Sequence, residues 1–480
     1  MARRILGTVA LACILGLTAC GTPSPANPTP VPTAEVLTPA LAVGPTPASA
    51  SVPFGQSVLV AQFDPTVNSI MLAPVDPATG IPLAGYAAVD LGASFDYGFT
   101  PDGHTLIFAR YASSSPSRGE LHFLDLATWK DDFALLLLSA NSTSALAFTQ
   151  DGLRLAVATA EPNGNSLWLV DSQRRVVLAH MQTQALISEM KFSSDGQSLM
   201  DYEHPGPDNA GTNELPPAVV LRSTTDLAAE WSRSLAVVRD GFVPNETFAA
   251  DPNEPGVGSI FQPAIVFAPD KDVLYVVHAD LPRLTRIDFD RKSVLTLDIH
   301  PKLSWFEHIL TLSATRAFAK PQNGIELRAS ISPDGTTIYV DGVNTTLTKQ
   351  SSGNWLETQA PLNLQAIRLK DAGQIYKSTV AGGNVELSAD GVSLLVPQVD
   401  NSTGAVTGTS EVDPFTGSAI GQYAGIALHF AALMDGTPIL VSSIPNPIDP
   451  QTTLMTAMTP GHRLLGSWTT PGSAQWLLRP

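Results

Sequence analysis

One turn signature recurs along this chain, and it limits what the chain can fold into. Phe99-Thr-Pro-Asp-Gly103 runs into the strand-like Thr105-Leu-Ile-Phe-Ala-Arg110, and Phe148-Thr-Gln-Asp-Gly152 runs into Leu153-Arg-Leu-Ala-Val-Ala158. The pattern returns as Phe192-Ser-Ser-Asp-Gly196, Phe267-Ala-Pro-Asp-Lys271, Ile331-Ser-Pro-Asp-Gly335, Leu387-Ser-Ala-Asp-Gly391 and Leu433-Met-Asp-Gly436. Aspartate bonds its own backbone and glycine takes positive φ, so each copy is a tight turn between two strands. A second turn signal follows about 20 residues later, as in Asp76-Pro-Ala-Thr-Gly80, Asp125-Leu-Ala-Thr-Trp129, Asp171-Ser-Gln-Arg174 and Asp413-Pro-Phe-Thr-Gly417. Two turns per repeat imply four strands.

The repeats are spaced by 44 to 56 residues, with two longer intervals of 75 and 64. That is the period of propeller blades. The excess in the longest interval falls at His204 to Glu214 and Phe242 to Gly258, which are rich in Pro, Gly, Asn and Asp and read as loop insertions.

The ends of the body fit each other. Pro53-Phe-Gly-Gln-Ser-Val-Leu-Val-Ala61 aligns with Pro101 to Ala109, so the body begins at a turn, past the first strand of a blade. Ser473-Ala-Gln-Trp-Leu-Leu-Arg-Pro480 resembles Ser144 to Gln150 and stops where the next Asp-Gly would stand. The C-terminal strand is therefore expected to complete the N-terminal blade, closing the ring and removing exposed edges. The expected fold is all-β: a single β-propeller over 53–480 with eight four-stranded blades, seven being the alternative if one degenerate repeat is an excursion. Separate β-sandwiches would leave the circular fit a coincidence.

The repeats resemble those of the exported WD-repeat-like propellers often called TolB-type, whose blades carry a Phe-Ser-Pro-Asp-Gly-like motif before the second strand. Asp270-Lys271 and the missing aromatics at Ile331 and Leu387 depart from that motif. The resemblance implies the fold and not a function, because this fold hosts binding scaffolds, sensors and unrelated enzymes.

Ahead of the repeats, Arg3 and Arg4 precede an apolar run, Ile5 to Thr18, too short for a transmembrane helix of about 20 residues. The run closes on Leu17-Thr-Ala-Cys20-Gly21, which matches the lipobox of bacterial lipoproteins. That resemblance implies a signal peptide over 1–19, lipidation of Cys20 and an extracytoplasmic location at the cell envelope. An ordinary cleaved signal is the alternative. The next segment, 20–52, reads as a lipid-anchored tether: nine prolines lie between Gly21 and Pro53, and Glu35 is the only charge there. At about 3.1 Å per residue it reaches up to roughly 100 Å.

Without Arg3 and Arg4 the chain has 25 basic and 44 acidic residues, a net charge of −19, which argues against nucleic acid as a partner. Of the two cysteines, Cys13 lies in the signal segment, so disulfides and thiolate metal sites are not expected. The nine histidines form no His-x-His or His-Glu-x-x-His pair, the nearest spacing considered being His300 and His308, and no metal site is expected. The carboxylates of Asp102, Asp151, Asp195, Asp270, Asp334, Asp390 and Asp435 are explained as turn formers. Asp288-Phe-Asp290 and Asp251-Pro-Asn-Glu254 lack the ligand density of a calcium loop. Ser188-Glu-Met-Lys191 matches Ser-x-x-Lys, yet in a strand residues i and i+3 point to opposite faces. No cofactor is expected, and no catalytic residue can be named.

The sequence thus reads as an envelope lipoprotein, expected to be a monomer, bound to the membrane through Cys20. Its propeller would bind a protein, peptide or glycan. The alternatives are a propeller hydrolase or lyase acting on envelope sugars or lactones, and an accessory subunit of an envelope complex. Leu303 to Lys320, which escapes the repeat pattern, and the 204–214 loop are the first places to look for a ligand.

Overall fold

The computed structural model describes residues 52–480 apart from 93–94, 113–117, 139–141, 162–163, 205–215, 245–257, 301–322, 350–354, 401–405, 447, 450 and 479–480. Cys20, the tether and the stretch 303–320 lie outside the described residues. Within them regular structure is strand except for one 3-10 turn, Phe54–Gln56.

The strands form eight sheets, so the ring has eight blades and not seven. Blade 2 shows the pattern: Phe95–Phe99, Thr105–Ala112, Arg118–Asp125 and Lys130–Leu138 follow one another from inside to outside, each antiparallel to the last. The inner strands of the remaining blades are Ser142–Phe148 (blade 3), Leu186–Phe192 (4), Ala264–Phe267 (5), Asn323–Ile331 (6), Glu386–Leu387 (7) and His429–Ala432 (8). Blade 1 is built from both ends of the described chain, with Val58–Asp64 pairing Ser69–Val75 on one side and Ala474–Trp476 on the other. The expected closure is therefore present. Further bonds lock it: Leu478 N–H donates to the Tyr97 hydroxyl at 3.0 Å, and Asp435 N–H donates to the Gly55 carbonyl at 2.7 Å.

Side chains alternate along a strand, so each blade presents one apolar set to either neighbour. Leu106 and Phe108 pack toward blade 1, whereas Ile107 and Ala109 pack toward blade 3. This is why the second strand of each repeat reads as a continuous apolar run. The core is accordingly divided into eight clusters, one per seam between blades.

The turn signature works as its residue types require. Gly103 takes φ +69° and donates its N–H to the Thr100 carbonyl at 2.7 Å. Asp102 Oδ1 accepts from the Thr100 hydroxyl at 2.6 Å and the His104 N–H at 3.0 Å. The same carboxylate–hydroxyl bond recurs at Asp151, Asp195, Asp334 and Asp390. The second turn of each repeat ends at positive φ as well. Glycine supplies it only in blades 1 and 7 (Gly80, Gly417); Trp129, Arg175, Leu227, Lys292, Ala372 and His462 supply it in the other six. The leading aspartate marked four of these turns in the sequence, at Asp76, Asp125, Asp171 and Asp413; those ending at Leu227, Lys292, Ala372 and His462 carried no such signal.

One expectation needs correction. The stretch 242–258 is not purely a loop insertion, since Gly241–Pro244 and Gly258–Gln262 are strands that form an antiparallel hairpin. This hairpin extends the sheet of blade 6 to six strands. Alternation was too short on either side to signal it.

Candidate binding face

In an antiparallel blade, the turns after the first and third strands lie on one face of the ring, and every other connection lies on the opposite face. The first face therefore holds all the short Asp-Gly and second turns, and is called here the turn face. The other, the loop face, receives the ends of the connections that span 205–215, 245–257, 301–322, 350–354 and 401–405. The chain reaches the ring at Pro53 on the turn face, where Phe54–Gln56 precedes the second strand position of blade 1.

The extra hairpin adds to the loop face. It follows blade 4 and precedes blade 5 in sequence, and it lays Gly258–Gln262 parallel to the inner strand of blade 6, with Phe261 opposite Ile325 and Gln262 opposite Glu326. Gly324 permits the approach: a Cβ there would meet the Ile260 carbonyl oxygen at 2.9 Å. Phe261 is buried in the core between blades 5 and 6, and the Arg239 guanidinium lies 5.9 Å from its ring centroid. Arg239 also pairs with Asp280 at 3.5 Å. Ile260, next to the anchor, is 60% exposed.

Buried polar sites form the root from which both long connections of blade 4 depart. Asp240 Oδ2 accepts from the Tyr202 hydroxyl at 2.8 Å and lies 2.5 Å from His204 Nδ1. On the opposite side of the blade, toward blade 3, Arg222 Nε donates to Asp201 Oδ2 at 2.6 Å, Arg222 Nη2 pairs with Glu203, and Arg222 Nη1 reaches Met181 Sδ of blade 3 at 3.4 Å. Burial pushes the Asp201 carboxyl up to about 7 against the opposing pull of Arg222, and burial together with Asp240 pushes the Tyr202 phenol well up. A second buried carboxyl, Asp341 in blade 6, is raised by burial to about 7 and accepts the Val385 N–H at 3.0 Å, fixing the connection into blade 7.

Polar side chains of the inner strands are spent on tying blades together. The Asp96 carboxylate accepts the Thr143 N–H at 3.1 Å, and the Ser330 hydroxyl donates to the Val385 carbonyl at 2.9 Å. Lys191 Nζ donates to the carbonyls of Ala268 at 2.6 Å and Lys271 at 3.0 Å, which engages it with blade 5 and not with Ser188. Asp288 is likewise occupied, accepting the Arg291 N–H at 3.0 Å and pairing with Arg286 at 2.9 Å. His300 bonds blade 6 only through its backbone. Among the described residues no group of three or more His, Cys, Asp or Glu is assembled that could hold a metal. Of the loop singled out at 204–214, only His204 falls within the described residues; His308 and Asp251 to Glu254 lie outside them.

The root sites and the hairpin were missed by sequence reasoning. Tyr202, Arg222 and Asp240 stand apart in sequence, and no spacing rule relates them.

No family model matches the sequence, and no curated protein does. Solved structures do share its fold. A dihydro-heme d1 dehydrogenase, NirN, in complex with DHE superposes with a TM-score of 0.52 at 12% identity, covering 91% of this chain and 78% of that one. BamB from Moraxella catarrhalis gives 0.43 at 8% identity, covering 79% of this chain and 91% of that one. These likenesses concern fold.

Proposed function

We propose that this chain is a lipid-anchored envelope protein whose propeller recognises a protein, peptide or glycan through its loop face. The observation that carries the reading is the asymmetry of the two faces. One is built of recurring tight turns, while the other receives the ends of the long connections and carries the added hairpin. Recognition concentrates on such loops. The lipobox at Cys20 supports the anchor.

Two measurements test this. Mass spectrometry of the mature N-terminus should find a diacylated or triacylated Cys20, and Cys20→Ala should abolish processing and membrane association; a normally processed, membrane-bound variant would refute the anchor. For the face, a photo-crosslinking residue placed at Ile260 on the loop face should capture a ligand in intact cells, and one placed at Phe415 on the turn face should not. Equal capture from both, or capture from Phe415 alone, would refute the assignment.

A further inference from the structure

The eight seams between blades are unequally filled. Seven of them hold from eight buried apolar residues, between blades 8 and 1, to fifteen, between blades 5 and 6. Among the described residues, the seam between blades 7 and 8 holds three, Leu395, Leu428 and Leu440, with Tyr423, Ile426, Phe430 and Met458 partly buried around them.

What this seam lacks in apolar filling it replaces with two histidine–glutamate ties. Near the channel, His429 Nδ1 on the inner strand of blade 8 lies 2.6 Å from Glu386 Oε1 on the inner strand of blade 7, and the Phe430 N–H donates to Glu386 Oε2 at 3.3 Å. Toward the rim, His462 Nε2, in the second turn of blade 8, lies 2.8 Å from Glu411 Oε2 in the third strand of blade 7. Glu411 also accepts the Tyr423 hydroxyl at 3.0 Å and the Ser393 hydroxyl at 2.6 Å. Both glutamates are mostly buried, and the tie of His429 is strongest when its imidazole is charged.

We propose that the ring parts at the seam between blades 7 and 8, and that proton binding by His429 sets how often it parts. Local opening proceeds where least apolar surface must be exposed. The competing place is the closure in blade 1, where opening must break the pairing of Val60 with Trp476, Ala61 with Gln475 and Gln62 with Ala474, and must uncover the buried Trp476 and Leu477. Parting blades 7 and 8 breaks no sheet.

The titration has a definite sign. Burial disfavours the charged form of His429, but the charge of Glu386 and its hydrogen bond outweigh burial and hold the imidazole above its ordinary value. Glu386 is the charged group facing it from blade 7. From blade 2 the Tyr97 phenol lies in the field of the same glutamate and is pushed up to about 12, mainly by burial, so it stays neutral. Glu411 and Tyr423 face His462 at the rim. A raised native value means that the tie contributes fully below the unfolded-state value near 6.5 and is lost as pH rises through the native one.

Hydrogen exchange of the full chain, read by mass spectrometry at about pH 6 and about pH 9 and corrected for intrinsic chemistry, tests both parts. The amides of Leu428 and Phe430, whose acceptors Thr409 Oγ1 and Glu386 Oε2 lie across the seam, should be less protected than those of Thr143 and Val385, whose acceptors lie across other seams. Their protection should fall with rising pH, by up to about tenfold per pH unit while His429 releases its proton. Amides of Ala474–Trp476 and Arg154–Glu161 should not follow. His429→Gln keeps a donor without titrating, and should flatten the pH response at this seam. Exchange that starts at Ala474–Trp476, protection of Leu428 and Phe430 equal to that of Thr143 and Val385, or a pH response that survives in His429→Gln would overturn the proposal. The wild-type comparison of seams decides the first part even if the variant does not fold.

Discussion

On the turn face, aspartates sit in water and bond the backbone of their own turn; at the root of the loop face, carboxyls are buried and bond side chains or backbone far along the chain. The consequences for charge are opposite. Hydroxyl and N–H donors hold Asp102, Asp151, Asp195 and Asp334 below the ordinary carboxylate range, whereas burial lifts Asp201 and Asp341 to about 7. One face gains order locally and repeatedly at small cost. The other gains it at separate buried sites, Arg222 with Asp201 and Glu203, Tyr202 with Asp240, and Asp341 with the Val385 N–H, and within each site the partners depend on one another.

The largest expected effect tests that dependence. Arg222→Met leaves Asp201 and Glu203 without their shared guanidinium, and should lower unfolding stability by about 3–5 kcal/mol in urea titrations, as breaking a buried ion pair does. A loss under about 1 kcal/mol would show that the root is not a rigid foundation.

Next in size is the turn face. Gly152→Val forces a β-branched residue to φ +70° and should cost about 1–2 kcal/mol by the same measurement. Acid should act on this face too. The depressed turn aspartates contribute stability above their unfolded-state value, and it is lost as pH falls through their lower native values. The urea midpoint should therefore drop between about pH 5 and about pH 3, and Asp195→Asn should reduce the size of that drop.

Smaller effects separate the faces further. Replacing 245–257 by a Gly-Ser segment of equal length should change stability by less than about 1 kcal/mol, because loop closure depends only weakly on what the loop contains. Lys292→Gly relieves a left-handed residue in the second turn of blade 5 at the expense of backbone entropy. It should be neutral or stabilising by a few tenths of a kcal/mol in thermal unfolding, about the difference between the two terms.

Much of the fold was legible because its punctuation is local. The Asp-Gly turns at Gly103, Gly152, Gly196, Gly335, Gly391 and Gly436 are each closed by bonds spanning two to five residues, so residue type and spacing suffice to recognise them. The circular fit of Pro53 to Ala61 with Ser473 to Pro480 likewise follows from counting strands, and the pairing of Val58–Asp64 with Ala474–Trp476 bears it out. The turns ending at Leu227, Lys292, Ala372 and His462 were harder, since a left-handed residue other than glycine leaves no compositional mark.

The sequence by itself determined the propeller fold, its closure by the C-terminal strand and the places of the Asp-Gly turns, because these depend on interactions within one repeat and on the order of strands. The choice of eight blades over seven came from the tertiary structure. Only the tertiary structure decided that Gly258–Gln262 lies parallel to Asn323–Ile331, that Arg222, Asp201 and Glu203 share one buried site, and that the seam of Glu386 and His429 is the least filled of eight. Those pairings join residues from separate strands and separate blades, where burial and approach distance govern the outcome and no short-range pattern records them.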